Sequence, residues 1–222
     1  MEKKLSQTLS EAAGAMGITL GERELSLFAV YHRELLTWNT KFNLFSVRSD
    51  QDIVIKHFID SLTLLPYIKN EAFRILDIGS GAGFPGIPLK IVLSSLKVSL
   101  LESSRKKSSF LKHVIRSLGL TDAVVINSRA ESVMEDATYS GCFEVVTSRA
   151  TVKLPVLLRM SAFFLAPNGI LIAMKGKSSD QEQTDSAGIS HSLGLKYMES
   201  RDLKLPMTGD FRRIIIYKKL SL

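Results

Sequence analysis

Two carboxylates and a cluster of glycines are the residues of this chain best placed for chemistry. Asp77-Ile78-Gly79-Ser80-Gly81-Ala82-Gly83-Phe84-Pro85-Gly86 follows a short apolar run and opens a helical one, and Glu102 ends the next apolar run, 19 residues after Gly83. Glycines at such a turn let the backbone bend sharply and approach a ligand closely. Pro85 and Pro88 suit a first helical turn, where a missing N–H costs little. A carboxylate at the end of the second strand can accept hydrogen bonds from both hydroxyls of a ribose, so Glu102 points to a ligand that contains a nucleoside.

Two nucleoside cofactors compete for this loop. Gly81-Ala82-Gly83-Phe84-Pro85-Gly86 matches the G-x-G-x-x-G fingerprint of an NAD-dependent oxidoreductase, with the acid at a suitable distance. The turn, however, already begins at Gly79, and Asp77 stands at the strand end. A carboxylate there suits the ammonium and sulfonium of S-adenosylmethionine and would repel a pyrophosphate. S-adenosylmethionine is therefore the cofactor expected around Asp77, Gly79, Gly81, Gly83 and Glu102, and NAD is the alternative.

Other polar residues are candidates for substrate contact. His57 and Asp60 lie three apart and can share one helix face. Asn39, Lys41 and Asn43 offer groups for a base or a phosphate, and otherwise read as solvated loop positions. Lys175 follows the fifth apolar run on the crevice side. Arg105, Lys106, Lys107, Lys112 and Arg116 occupy twelve residues without one acid, either a solvated helix face or a phosphate-binding surface. Aromatic residues make up 8% of the chain and form no stacking ladder for single strands.

The elements that must position these residues change type along the chain. Up to residue 70 the pattern is helical. Leu5, Leu9, Ala12, Ala13 and Met16 share one face, and Leu25, Phe28, Tyr31, Leu35 and Trp38 another. Thr19 and Glu22 have capping-box spacing for the second helix. Ser49 and Asp50 can cap a third, with Ile55, Phe58, Ile59, Leu62 and Leu65 inside and Pro66 ending it. From residue 71 short apolar runs (74–78, 98–102, 123–127, 143–147, 170–174) alternate with amphipathic stretches, the signature of a parallel sheet covered by helices. Runs 197–202 and 212–218 have no room for a helix between them and are expected to be antiparallel. The expected fold is α/β and Rossmann-like, of the class I methyltransferase type. It has a mostly parallel seven-stranded sheet with an antiparallel strand near the C-terminus, and a helical extension (1–70) packs on the core unit (71–222).

Bulk composition narrows the function classes. The 222 residues are 45% hydrophobic, which excludes a disordered chain, and carry a net charge of +7 with a pI near 9.5, which suits a polyanionic partner. Residues 1–70 hold 8 basic and 8 acidic side chains, so the excess charge belongs to the remainder, with 21 basic and 14 acidic. Cys142 is the single cysteine, which excludes an internal disulfide or a cysteine zinc cluster and fits a reducing compartment. No metal site is expected. The N-terminus lacks a signal-type apolar core, and the most apolar stretch, 163–174, is too short for a bilayer, so no membrane association and a cytoplasmic location are expected.

Several motifs in order resemble one known family. Leu76 to Val92, Trp38-Asn39, Asn43-Leu44, His57 to Leu62, Ser148-Arg149-Ala150 and Met174-Lys175-Gly176 are similar to motifs of the RsmG (glucose-inhibited division protein B) family, bacterial 16S ribosomal RNA guanine-N7 methyltransferases. The resemblance covers nearly the whole chain. It implies S-adenosylmethionine contacts at Gly79, Phe84, Ala130, Glu131 and Arg149, with Arg149 at the methyl-transfer point. The implied partner is 16S ribosomal RNA, in the small subunit or an assembly intermediate. It also implies guanine N7 as acceptor, an atom whose lone pair needs no general base. Consistently, no base–nucleophile constellation is visible, no Asn/Asp-Pro-Pro-aromatic motif follows the fourth strand, and Cys142 precedes that strand. A methyltransferase with another substrate, an NAD-dependent oxidoreductase and a non-catalytic RNA-binding module remain the alternatives at this point.

Overall fold

The structure, a computed structural model, describes residues 2–42, 44, 49–68, 73–149, 152–176 and 180–221. Two helices come first, α1 (Glu2–Gly14) and α2 (Glu22–Phe42). Leu5, Leu9, Ala12 and Ala13 are buried on α1, and Phe28, Tyr31 and Leu35 on α2, as their spacing predicts. Met16 lies in the turn after α1. The cap of α2 sits two residues later than expected: Gly21 precedes the helix and donates its N–H to Glu24, at 2.9 Å, in place of the Thr19–Glu22 pair.

The third helical region departs from a plain α-helix. It runs from α3 (Asp50–Ile53) through a π-helical stretch (Val54–Ile59) into α4 (Asp60–Leu62), followed by a 3₁₀ turn (Leu65–Tyr67) that contains Pro66. Ser49 caps its start by accepting from the Asp52 N–H. Ile53, Val54, Ile55, Phe58, Ile59 and Leu62 are all buried, more apolar positions than one α-helical stripe can turn inward. The wider π-turn re-aims the side chains after it, a device common at functional sites. Leu64, rather than the expected Leu65, is buried at its end.

The remaining elements are β1 (Arg74–Ile78), α5 (Gly86–Val92), β2 (Lys97–Leu101), α6 (Arg105–Ser117), β3 (Ala123–Ile126), α7 (Ala130–Val133), β4 (Phe143–Arg149), α8 (Leu154–Phe164), β5 (Leu165–Lys175), α9 (Asp180–Ser192), β6 (Leu195–Lys204) and β7 (Phe211–Lys219). The sheet order is β3-β2-β1-β4-β5-β7-β6. Strands β1 to β5 are parallel, and β7 is antiparallel to both β5 and β6. This is the seven-stranded sheet that the apolar runs predict. The chain turns back across the sheet between β3 and β4, so the order reverses at β1, where β1 and β4 lie side by side with Asp77 beside Thr147. Ligands of such sheets bind beyond the strand C-termini at this switch point.

Two apolar clusters hold the sheet. One combines α1, α2 and the π-helical stretch with α5, α6 and the sheet; the other lies under α7 and α8. The expected boundary at residue 70 falls within 69–72, outside the described residues. The helices before it share an apolar cluster with the strands after it.

Gly83 shows how tightly α2 sits on the loop after β1. Its φ is +101°, and an added Cβ would lie 2.5 Å from Ile87 Cδ1 and 2.7 Å from the Tyr31 hydroxyl. Gly83→Ala is expected to cost about 1–3 kcal/mol through overpacking and backbone strain, read as a lower urea midpoint with an unchanged slope.

Candidate active site

The loop after β1 is built by backbone bonds to the neighbouring strand. Gly79 (φ +70°) and Ser80 both donate to the Leu101 carbonyl, at 2.9 and 3.1 Å, and the Ser80 hydroxyl donates to the Asp77 carbonyl. Gly81 (φ +61°) gives its N–H to Glu102 Oε2 at 2.9 Å, and an added Cβ would meet only the Gly79 carbonyl oxygen, at 3.9 Å. The three glycines thus have different duties: Gly79 and Gly81 turn the loop through positive φ, whereas Gly83 makes room for α2 and α5. Tyr31, fully buried on α2, donates its hydroxyl to the Ala82 carbonyl. Burial raises its pKa well above the ordinary phenol value, so it stays a donor.

The two carboxylates differ. Asp77 is completely buried; Oδ2 accepts from the Gly86 N–H at the start of α5, and Oδ1 has no partner among the described residues. Burial lifts its pKa to about 7; the Gly86 bond and Arg149 oppose this, and the charge of Glu102 adds to it. Glu102 lies just past β2, nearly buried, and accepts from Gly81 N–H through one oxygen and from Ser104 N–H, at 2.7 Å, through the other. Each oxygen keeps a second lone pair. Asn127, at the end of β3, ties the Glu102 and Ser103 carbonyls together.

Arg149, the last residue of β4, is the hub on the other side of the switch point. Nη1 donates to the Lys56 carbonyl at 2.9 Å and to Asp60 Oδ2 at 3.3 Å, and Nη2 donates to His57 Nδ1 at 2.9 Å. Its guanidinium also lies 5.0 Å from the centre of the Phe84 ring, on which His57 stacks at 4.8 Å. His57 has its pKa lowered to about 3, by burial first and then by Arg149 and Arg212. A guanidinium can only donate, so the neutral imidazole accepts at Nδ1 and carries its proton on Nε2. Asp60, buried, accepts from Arg149 on one oxygen and from Arg212 Nε, at 2.9 Å, on the other.

The expected residues therefore divide. Asp77, Gly79, Gly81, Phe84, Glu102, Arg149, His57 and Asp60 converge on the ends of β1, β2 and β4. Ala130 and Glu131 open α7 after β3, the first buried and the second exposed. Arg105 and Lys106 are exposed and Lys107 half-buried at the crevice-side end of α6. Asn39 and Lys41 lie in the last turns of α2 rather than in a loop, and Asn43 and Ala150 lie outside the described residues. Lys175 corrects the expectation: it is nearly buried and bonded to the Val152 carbonyl and Glu182, so its charge ties the segment before α8 to α9 instead of facing a substrate. Sequence reasoning missed Tyr31 and Arg212. A tyrosine in a buried stripe signals a hydroxyl in need of a partner, but nothing local marks Arg212, whose partner is 152 residues away. Among the described residues, no group of three or more His, Cys, Asp or Glu could hold a metal ion, and no helix is long and apolar enough to cross a membrane.

Asp77→Asn separates stability from binding. A carboxyl with a folded pKa near 7 and an ordinary one near 3.8 favours the fold when protonated, and costs stability progressively as pH rises from about 4 to 7. The asparagine variant should match the parent near pH 4 and exceed it by a few kcal/mol at pH 8, roughly 1.4 per shifted unit. Thermal unfolding at the two pH values reads this difference.

Comparison with known proteins adds kinship to this geometry. A profile of the family described as GidB, rRNA small subunit methyltransferase G, matches residues 24–201. The ribosomal RNA small subunit methyltransferase G of Syntrophus aciditrophicus (strain SB) is 48% identical over 210 residues, 94% of this chain and 87% of its own. That of Acetivibrio thermocellus is 38% identical over 218 residues, 98% and 90% of the two chains. Among solved structures, M. jannaschii TYW2 in complex with AdoMet superposes with a TM-score of 0.57 at 16% identity, over 72% of this chain and 74% of that one. A SAM dependent methyltransferase from Aquifex aeolicus gives 0.55 at 15% identity, over 72% and 90%. Both share the fold described above.

Proposed function

The chain belongs to the rRNA small subunit methyltransferase G family, and from that premise we propose that it transfers the methyl group of S-adenosylmethionine to N7 of a guanine in 16S ribosomal RNA. The RNA is met in the cytoplasm, within the small subunit or one of its assembly intermediates, without a metal. Residues 1–70 act as a helical extension of the methyltransferase unit, 71–222. One observation carries the reading: the buried Asp77 carboxylate at the switch point, one oxygen capping α5 and the other without a hydrogen bond among the described residues. An orphaned anionic oxygen beside a glycine loop fits a ligand ammonium, and it disfavours the pyrophosphate of a dinucleotide.

When bound, the cofactor supplies an electrophilic methyl on a sulfonium. Guanine N7 already carries a lone pair, so no residue has to remove a proton. The groups around Arg149 agree, since His57 is held neutral with Nδ1 occupied and Asp60 is held between two arginines. The Glu102 oxygens keep lone pairs for the ribose hydroxyls. Arg149 directs Nη1 to Lys56 and Asp60 and Nη2 to His57, and among the described residues its Nε–H takes no bond, so the Nε side of the guanidinium is the edge open to a ligand. That edge of the fork receives a carboxylate or phosphate bidentately. The residues thus align and neutralise rather than exchange protons.

The direct experiment supplies labelled S-adenosylmethionine and small subunits from cells that lack this protein, followed by mass mapping of the RNA. Label in 7-methylguanosine of 16S RNA is the expected result; no transfer, or transfer elsewhere, overturns the reading. Arg149→Lys keeps the charge but loses the fork, and should slow single-turnover transfer about a hundredfold. A near-normal rate for the lysine variant would show that charge alone matters there, and a near-normal rate for Arg149→Ala would remove Arg149 from the site. Replacing Arg105, Lys106 and Lys107 together by alanine should lower the slope of log affinity against log salt by roughly two while cofactor affinity stays unchanged in calorimetry.

A further inference from the structure

An aromatic pair stands beside the basic end of α6. Trp38 packs its ring on Phe110 at 5.6 Å and on His113 at 5.2 Å, and Glu34 bonds His113 at 2.7 Å. Helix α2 therefore runs antiparallel to α6 along this stretch. Its last turn, with Lys41 and Phe42, continues in the direction of the crevice-side end of α6, which begins with Arg105, Lys106 and Lys107. Phe42 packs one side against Trp38, with ring centres 5.3 Å apart, yet keeps 41% of its surface exposed. Lys41, Arg105 and Lys106 are exposed as well. The same end of α6 is fastened to Glu102 through the Ser104 N–H.

We propose that Phe42, backed by Trp38, is a stacking platform for one unpaired nucleobase of the RNA strand that enters the crevice. The inference rests on the RNA reading above and deepens it. An exposed ring held by a second ring presents a rigid face to a base, and single-stranded RNA is gripped by such faces together with cations that follow its phosphates. Lys41, Arg105 and Lys106 supply those cations, and α6 carries no acid from Arg105 to Arg116. The occupant is a base rather than an apolar protein surface because the exposed residues that end α2 and begin α6, Lys41, Arg105 and Lys106, are cations. Without a ladder of further aromatics, one base is held, which anchors the strand while leaving the target guanine free to reach the cofactor.

Trp38 is the only tryptophan of the chain, so its emission reports on the platform. The full-length protein is titrated with a hexamer of unpaired adenylates and, separately, with inorganic polyphosphate of equal charge. The hexamer should quench Trp38 saturably, and polyphosphate should leave the emission unchanged. Phe42→Leu should weaken hexamer binding about tenfold or more, the scale of one lost base stack, with unaltered S-adenosylmethionine affinity as the check on folding. Phe42→Tyr should restore it. Equal quenching by polyphosphate, parental affinity in Phe42→Leu, or a tyrosine variant as weak as the leucine variant would each overturn the platform. These readouts need no methyl transfer, so a failure of the RNA-methylation reading registers separately, in the mapping of ribosomal RNA.

Discussion

The guanidinium of Arg149 fixes the register of parts of the chain that the apolar cluster between them holds together without direction. It ends β4, but its hydrogen bonds reach the π-helical stretch through Lys56, His57 and Asp60, and its flat face lies on Phe84 of the glycine loop. Asp60 passes the connection to Arg212 on β7. A buried ion pair of this kind is a poor source of net stability, because desolvation offsets most of the attraction. Its value is geometric. Donors in a fixed fork allow one arrangement of helix, loop and strand, and the π-turn exists where that arrangement needs a carbonyl and an imidazole facing β4.

Asp77 shows the same preference for geometry over stability. An apolar or neutral residue would fill its place at less cost, since a fully buried carboxylate with one oxygen unbonded among the described residues is a standing penalty near neutral pH. Such strain is expected where a protein keeps a charge ready for a ligand. The glycine loop around it is held from both sides, by Glu102 through the Gly81 N–H and by Tyr31 through the Ala82 carbonyl. The loop is thereby fixed before any ligand arrives, and little ordering cost remains for binding.

How far the chain can be read without coordinates depends on the range of each interaction. β1 is found where the apolar run lies, from Arg74 to Ile78, because a buried parallel strand writes itself as a local apolar string. Glu102 and the glycines are equally legible, since their meaning lies in a short spacing. The cap of α2 is misplaced by two residues because Thr19 and Gly21 both satisfy local rules, and only the bond to Glu24 decides. The π-turn is invisible to a periodicity argument that assumes one helical period. Lys175 reads as a crevice residue by position, but Glu182, seven residues on, claims its charge. Arg212 is beyond reach altogether, because an ion pair across 152 residues leaves no local trace.

The same long-range pairs bear on how the protein comes into being at the ribosome. Synthesis proceeds from the N-terminus, so Asp60 is made long before Arg149, 89 residues later, and Arg212, 152 residues later. Until then its carboxylate has neither partner, and the helices around it cannot bury it cheaply. Asp60 is fully paired only once the last strand, β7, is in place. A chain cut short before β7 would leave a buried anion half-paired and would be an early substrate for proteolysis. Completion of the translated chain and completion of the site are thus nearly the same event.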